Sequence, residues 1–178
     1  MRTRTAGILS ALLLWATQGA AQSLPAAAPR LRPLDARATD AIKTGLSRSL
    51  TFRALVDELE RSDLVVYVYT TPYLSQYVSG GLSFVGVSAS MRFLKIALDL
   101  DLTPDQTVYV LAHELQHALE IARATDVRTQ HDFDAFYRHI GVGGALAHTF
   151  ETAEARLMGQ RVRRELRAEP GTITDPRR

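Results

Sequence analysis

The sequence predicts a small α+β domain, and three stretches carry that expectation. Leu64 to Thr70 is β-branched and aromatic with no charge, the pattern of a strand buried on both faces. Arg92 to Leu100 alternates Leu94, Ile96, Leu98 and Leu100 with Phe93, Lys95, Ala97 and Asp99, the period-two pattern of a half-buried strand. Thr103-Pro104-Asp105-Gln106 then opens a helix with a capping Thr, Pro at the first helical position, an acid in the first turn and Gln at the capping-box position.

The remaining elements follow in order. Residues 1–21 form a leader: Arg2 and Arg4, an apolar run from Ile8 to Ala16, then Gly19-Ala20-Ala21 as a small-residue cleavage site. Residues 22–37 are rich in Pro and Ala and predict an extended linker. A single domain is expected over 38–169. A weak helix spans about Asp35 to Leu46. A stronger one spans about Leu50 to Arg61, with Phe52, Leu55, Val56 and Leu59 on one face. Tyr73 to Gly81 predicts a loop. Leu82 to Ser88 predicts a strand, joined to the next through Ser88-Ala89-Ser90 as a hairpin.

The capped helix is expected to run to about Ala124, with Val108, Leu111, Leu115, Ala118, Leu119 and Ala122 as its apolar face. A short helix is expected between Asp126 and Gly141. Gly141-Val142-Gly143-Gly144 is a breaker, a last helix covers about Ala147 to Arg167, and 170–178 is a frayed tail.

Composition narrows the function classes. The 178 residues hold 21 Lys and Arg against 19 Asp and Glu. Removing the two leader arginines leaves equal numbers of each sign, so the charge offers no basic excess for nucleic acid. After leader cleavage no apolar span is long enough to cross a bilayer. The expected location is therefore exported, periplasmic or secreted. Cysteine is absent, so disulfides and thiolate metal sites are excluded, and any metal must be held by His and carboxylates.

One stretch makes a specific chemical proposal. Residues 113–117 read His113-Glu114-Leu115-Gln116-His117. On a helix, side chains at i and i+4 are neighbours, so both imidazoles reach one zinc ion. Glu114 is rotated about 100° from His113, toward the edge of such a metal, where it can take a proton from a water that zinc acidifies.

These residues, with the strand–helix order from Arg92 to Ala124, resemble the zincin metallopeptidases. The resemblance covers about a quarter of the chain. It implies a zinc-dependent hydrolase acting on a peptide or protein substrate, with Glu114 catalytic and Zn²⁺ as cofactor. It also implies that the strand before the motif helix, here Arg92 to Leu100, borders the cleft and pairs with extended substrate. Metzincins continue with Gly three residues after the second His. Here that position is Glu120 in Ala118-Leu119-Glu120-Ile121, which sets that subgroup aside.

A catalytic zinc needs a third protein ligand. Glu120 lies about 7.5 Å along the axis from the metal's level and is given an outer role, orienting an imidazole or facing solvent. Gluzincins take the third ligand from a Glu on a later helix. A wheel over the last helix places Glu151 and Glu154 within an arc with Phe150, Leu146, Ala153, Leu157 and Met158, extended by Val162 and Ala155 and expected to be buried. Glu151 is the preferred ligand, Glu154 the second, and His131, His139 or His148 the remainder. A late His or Tyr137 is also a candidate donor to a reaction oxyanion. Ala155 stands where some gluzincins carry a supporting Asp, so the match to that subgroup is partial. The alternative reading is a non-catalytic metal-binding or envelope interaction protein.

Overall fold

The computed structural model describes residues 28–74, 77–140, 142–143 and 150–168. The expected leader, the tail and His148 lie outside the described residues. The elements are β1 (Leu31–Pro33), α1 (Ala36–Arg48), α2 (Leu50–Glu60), β2 (Leu64–Thr71), β3 (Gly80–Ser88), β4 (Met91–Asp99), α3 (Pro104–Arg123), α4 (Gln130–Ile140), β5 (Val142–Gly143), β6 (Phe150–Glu151) and α5 (Ala153–Arg167). The result is a mixed α+β fold. A four-stranded sheet has the order β1-β2-β4-β3, and β5 pairs with β6 separately. Strands β1, β2 and β4 are parallel, while β3 runs antiparallel to β4.

The expected β3–β4 hairpin forms, with Ser88 opposite Met91 across a two-residue turn. Ala89 in that turn takes φ 52°, a left-handed conformation more natural to Gly.

Two expectations are corrected here. Leu31–Pro33 was assigned to an extended linker, yet it adds in parallel to β2, with Val66 N–H donating to Arg30 C=O. The parallel ladder gives this Pro-containing stretch a partner while keeping it at a sheet edge, where Pro is tolerated. Asp35 then caps α1 through Ala38 N–H (2.8 Å) and reaches across to Thr70 N–H (2.6 Å). The second correction concerns the cleft strand. β4 lies between β2 and β3, so its backbone is used on both sides; the edge strand beyond it is β3, with β1 at the opposite edge.

Residues Leu64, Val66 and Val68 of β2 and Leu94, Ile96 and Leu98 of β4 join one core with residues of α1, α2 and α3. Helix α3 is the centre of the molecule. It packs on the sheet on one side and on α5 on the other. Every residue from Glu114 to Ile121 is consequently buried. The capping box at Thr103 and Gln106 sets its start.

Its far end is held by Arg92, whose side chain is 0% exposed. The guanidinium forms a forked pair with Asp63 (2.7 and 2.8 Å) and donates to the carbonyls of Ile121, Ala122, Ala124 and Val127. The carbonyls of Ile121 and Ala122 are among the groups a helix end leaves without partners, and those of Ala124 and Val127 belong to the turn that follows. A positive charge there also complements the helix dipole.

Helix α5 is seated by small residues. Gly159 faces α3 so closely that a Cβ there would stand 3.2 Å from Tyr109 O and 3.4 Å from His113 Cβ. Glu165, near its other end, accepts from Ser49 Oγ and from Thr51 N–H (3.1 Å) and Oγ1 (2.6 Å), fastening α5 to the start of α2.

Candidate metal centre

His113 and His117 lie mid-helix on α3, one turn apart, as the spacing predicts. Their Nε2 atoms are 3.2 Å apart. Two ligands about 2.0–2.1 Å from one tetrahedral zinc stand about 3.3–3.4 Å from each other, so the observed gap suits a shared cation. Glu151 Oε1 is 3.6 Å from His113 Nε2. One ligand atom from each of His113, His117 and Glu151 lies within 4.8 Å of the other two.

The surroundings of each ring explain why these nitrogens face inward. His117 Nδ1 is 2.9 Å from Glu120 Oε2. A carboxylate only accepts, so Nδ1 carries a proton, and in the neutral ring Nε2 has its lone pair free for a cation. Thr152 Oγ1 donates to the other oxygen of Glu120 (2.7 Å) and accepts from Ala155 N–H as the N-cap of α5. His113 is held by a hydrogen bond to the backbone of Ala155. The start of α5 thus orients both rings, and the residue just before its cap is Glu151.

Glu151 Oε1 is buried and has no hydrogen-bond partner among the described residues. A buried carboxylate oxygen without a donor is costly. An oxygen in that condition beside two nitrogen lone pairs fits a cation, and the His₂–carboxylate donor set is one that zinc accepts.

Glu114 sits beside the cluster, buried between α3 and β3. Burial raises its pKa to about 7, opposed by the charge of His117, increased by that of Glu151, and opposed again by the backbone N–H of Leu82. Gly80 makes the room for it. A Cβ at Gly80 would meet Val110 Cγ1 at 2.7 Å and Glu114 Oε1 at 3.0 Å. The two rings differ. Burial and its neighbour His117 lower His113 to about 4. Burial also opposes protonation of His117, but Glu120, Glu114 and Glu151 outweigh it and raise its pKa.

Several sequence expectations place differently. Glu151 belongs to β6, not to the last helix, because Thr152 caps that helix and it begins at Ala153. The buried stripe of α5 is Ala155, Gly159, Val162 and Leu166, while Leu157 and Glu154 are exposed. The buried stripe thus keeps only the Ala155 and Val162 edge of the expected arc, and Ala153 and Leu157 fall outside it. Glu154 has a side chain 67% exposed and bonds Gln116 and Arg123.

His131 and His139 are exposed on α4 and stand outside the cluster. Tyr137 donates to His117 C=O (2.8 Å), so that hydroxyl braces α3. The sequence reading missed Gly80, Gly159 and Thr152. Only Thr152 carried a signal, as a Thr three residues before Ala155 at the head of a polar-faced helix.

The cluster opens into a cleft of about 770 Å³ between β3, α3, α4 and the start of α5. No protein-family model, curated protein or solved structure matches this chain.

Proposed function

We propose that this chain is an exported zinc-dependent metallopeptidase of the zincin type, with the gluzincin ligand set His113, His117 and Glu151. The observation that carries the reading is the orphaned buried oxygen of Glu151 beside two imidazole lone pairs, with Glu114 next to them. When bound there, zinc supplies Lewis acidity that polarises a carbonyl and acidifies water in its open position.

The chain's own residues do the rest. Glu114, buried beside the cluster, would accept a proton from water and return it to the leaving amine. Glu120 and Thr152 keep His117 in the tautomer that presents Nε2. β3 is the edge strand beside the cleft, which it lines at Gly80, Gly81 and Leu82, and among the described residues no strand lies beyond it, so an extended peptide can add there. The apolar leader in residues 1–21 supports export, and no helix among the described residues is long and apolar enough to cross a membrane.

The test pairs two variants. Glu114→Gln retains one zinc per chain and loses peptide hydrolysis by about 100-fold or more, the scale of a general-base contribution. His117→Ala loses the zinc itself, measured by metal analysis after dialysis. Hydrolysis by Glu114→Gln at the parent rate, or full zinc content in His117→Ala, removes the proposal. Stoichiometric zinc in the parent with no cleavage across a broad peptide library leaves a metal-binding protein that does not turn over substrate.

A further inference from the structure

The cleft has opposite character on the two sides of the cluster. Toward α4 it is lined by Gln130, Phe133 and Asp134, an aromatic ring with an acid. Toward α5 it is lined by Arg156, Gln160 and Arg163. Arg156 and Arg163 are seven residues apart, so they fall on one stripe of the helix, two turns from each other. That stripe runs beside Gly159, where α5 comes closest to His113. Arg156 is near enough for its charge to act on the His113 ring.

The other cleft arginine is steadied in place. The Arg163 guanidinium lies over the ring of Tyr109, 5.5 Å from its centroid, and Tyr109 itself lines the cleft. Among the described residues neither Arg156 nor Arg163 has a carboxylate partner. Arg48, Arg92 and Arg123 are each paired with an acid. Two cations aligned along one wall of a cleft, unpaired and facing its space, are a recognition surface for anions.

We propose that this wall selects substrates carrying a carboxylate on the α5 side of the His113–His117–Glu151 cluster, with Arg156 gripping the group nearer the cluster and Arg163 a second one further out. The inference rests on the hydrolase reading for the kind of ligand. It deepens that reading from peptides in general to acidic peptides. Two helical turns span about 10.5 Å, which is about three residues of extended chain. Side chains of an extended chain share a face at every second residue, so acids two or four residues apart, Glu-x-Glu at about 7 Å and Glu-x-x-x-Glu at about 13 Å, bracket that spacing within the reach of two arginine side chains. A carboxylate supplied by a chain terminus has the same chemistry as one supplied by a side chain. On the α4 side Asp134 repels either.

The experiment measures binding first, so that it does not depend on turnover. Zinc-supplied Glu114→Gln protein is titrated into rhodamine-labelled ten-residue peptides and followed by anisotropy. The set comprises a neutral amidated peptide, the same peptide with one Glu scanned along it, the same with Glu-x-Glu and with Glu-x-x-x-Glu, and the neutral peptide with a free C-terminal carboxylate. A single well-placed Glu tightens binding by about tenfold over the neutral peptide, the scale of one charge-assisted hydrogen bond. A second Glu on the same face, as Glu-x-Glu or Glu-x-x-x-Glu, tightens it further. Preference for the free terminus over internal Glu assigns the terminal carboxylate as the source, and the reverse assigns the side chain.

Arg156→Gln and Arg163→Gln each reduce the acidic-to-neutral ratio. Arg161→Gln, on the opposite face of α5, leaves that ratio as it was. Equal binding of acidic and neutral peptides overturns the inference, as does a ratio unmoved by Arg156→Gln and Arg163→Gln together, or no binding of any peptide. Cleavage by the parent protein is scored separately on the same set. Glu114-dependent cleavage without acidic preference sinks this inference and leaves the hydrolase standing. Acidic preference without cleavage does the opposite.

Discussion

Replacing Arg92 with Met tests how the motif helix is held. The change keeps an unbranched side chain in a fully buried position but removes the guanidinium. The carbonyls of Ile121, Ala122, Ala124 and Val127 then lose a donor, and Asp63 loses its partner. Ile121 and Val127 are buried, so water does not replace the donor there. At about 1–2 kcal/mol for each of those two, with the lost ion pair added, the cost comes to about 4 kcal/mol, inside the range for breaking a buried pair. In urea, with a slope of about 2 kcal/mol/M, the unfolding midpoint falls by about 2 M.

The same variant carries a pH signature. The hydrogen bond from Arg92, against some burial and with help from the Arg charge, lowers the Asp63 pKa below its ordinary 3.8. A depressed carboxylate stabilises the fold above its unfolded pKa and loses that contribution as pH falls through the folded value. The stability gap between parent and Arg92→Met is therefore constant near neutrality and narrows below pH 3.8. A loss under about 1.5 kcal/mol at neutral pH, well short of the buried-pair range, refutes the idea that this arginine anchors α3.

Three further changes probe the site and its frame. Glu120→Gln weakens zinc affinity by about 10–100-fold, the usual cost of removing a carboxylate that orients a ligand imidazole; affinity within twofold of the parent in a chelator competition contradicts the assigned role. Gly80→Ala pushes β3 off Val110 and Glu114, so zinc stays bound while hydrolysis drops by about tenfold or more. An unchanged kcat with unchanged zinc rejects the packing argument. Ala89→Gly relieves the left-handed turn residue and raises stability by about 0.5 kcal/mol, after the larger entropy of unfolded Gly is deducted; a melting temperature that falls contradicts it.

Much of the frame around the motif was legible because its signals are local. The capping box at Thr103 and Gln106 depends on residues three apart, and it set the start of α3. The i, i+4 histidines needed only a helix to meet. The alternation of β4 identified its buried face, and it even pointed Arg92 inward in step with Leu94 and Ile96. The pattern gave that arginine no role of its own; its hydrogen bonds to the end of α3 come from the tertiary structure.

Non-local facts were beyond such patterns. Strand order depends on pairings distant in the chain, so nothing near Arg92–Leu100 told that β3 and not β4 is the edge. Glu151 was proposed from a helical wheel that the structure replaces with a short strand and a Thr152 cap. Its position beside His113 comes from the docking of α5 on α3 at Gly159, a contact between residues far apart in sequence.

The sequence by itself determined the His113-Glu114-x-x-His117 spacing, the helix that carries it, the absence of thiol ligands and a mixed α+β fold, because each follows from residue type and short-range spacing. Only the tertiary structure decided which carboxylate joins the two histidines, what orients their rings and which strand edge faces them. Those depend on where two helices and a sheet edge meet, and packing across the chain sets that meeting.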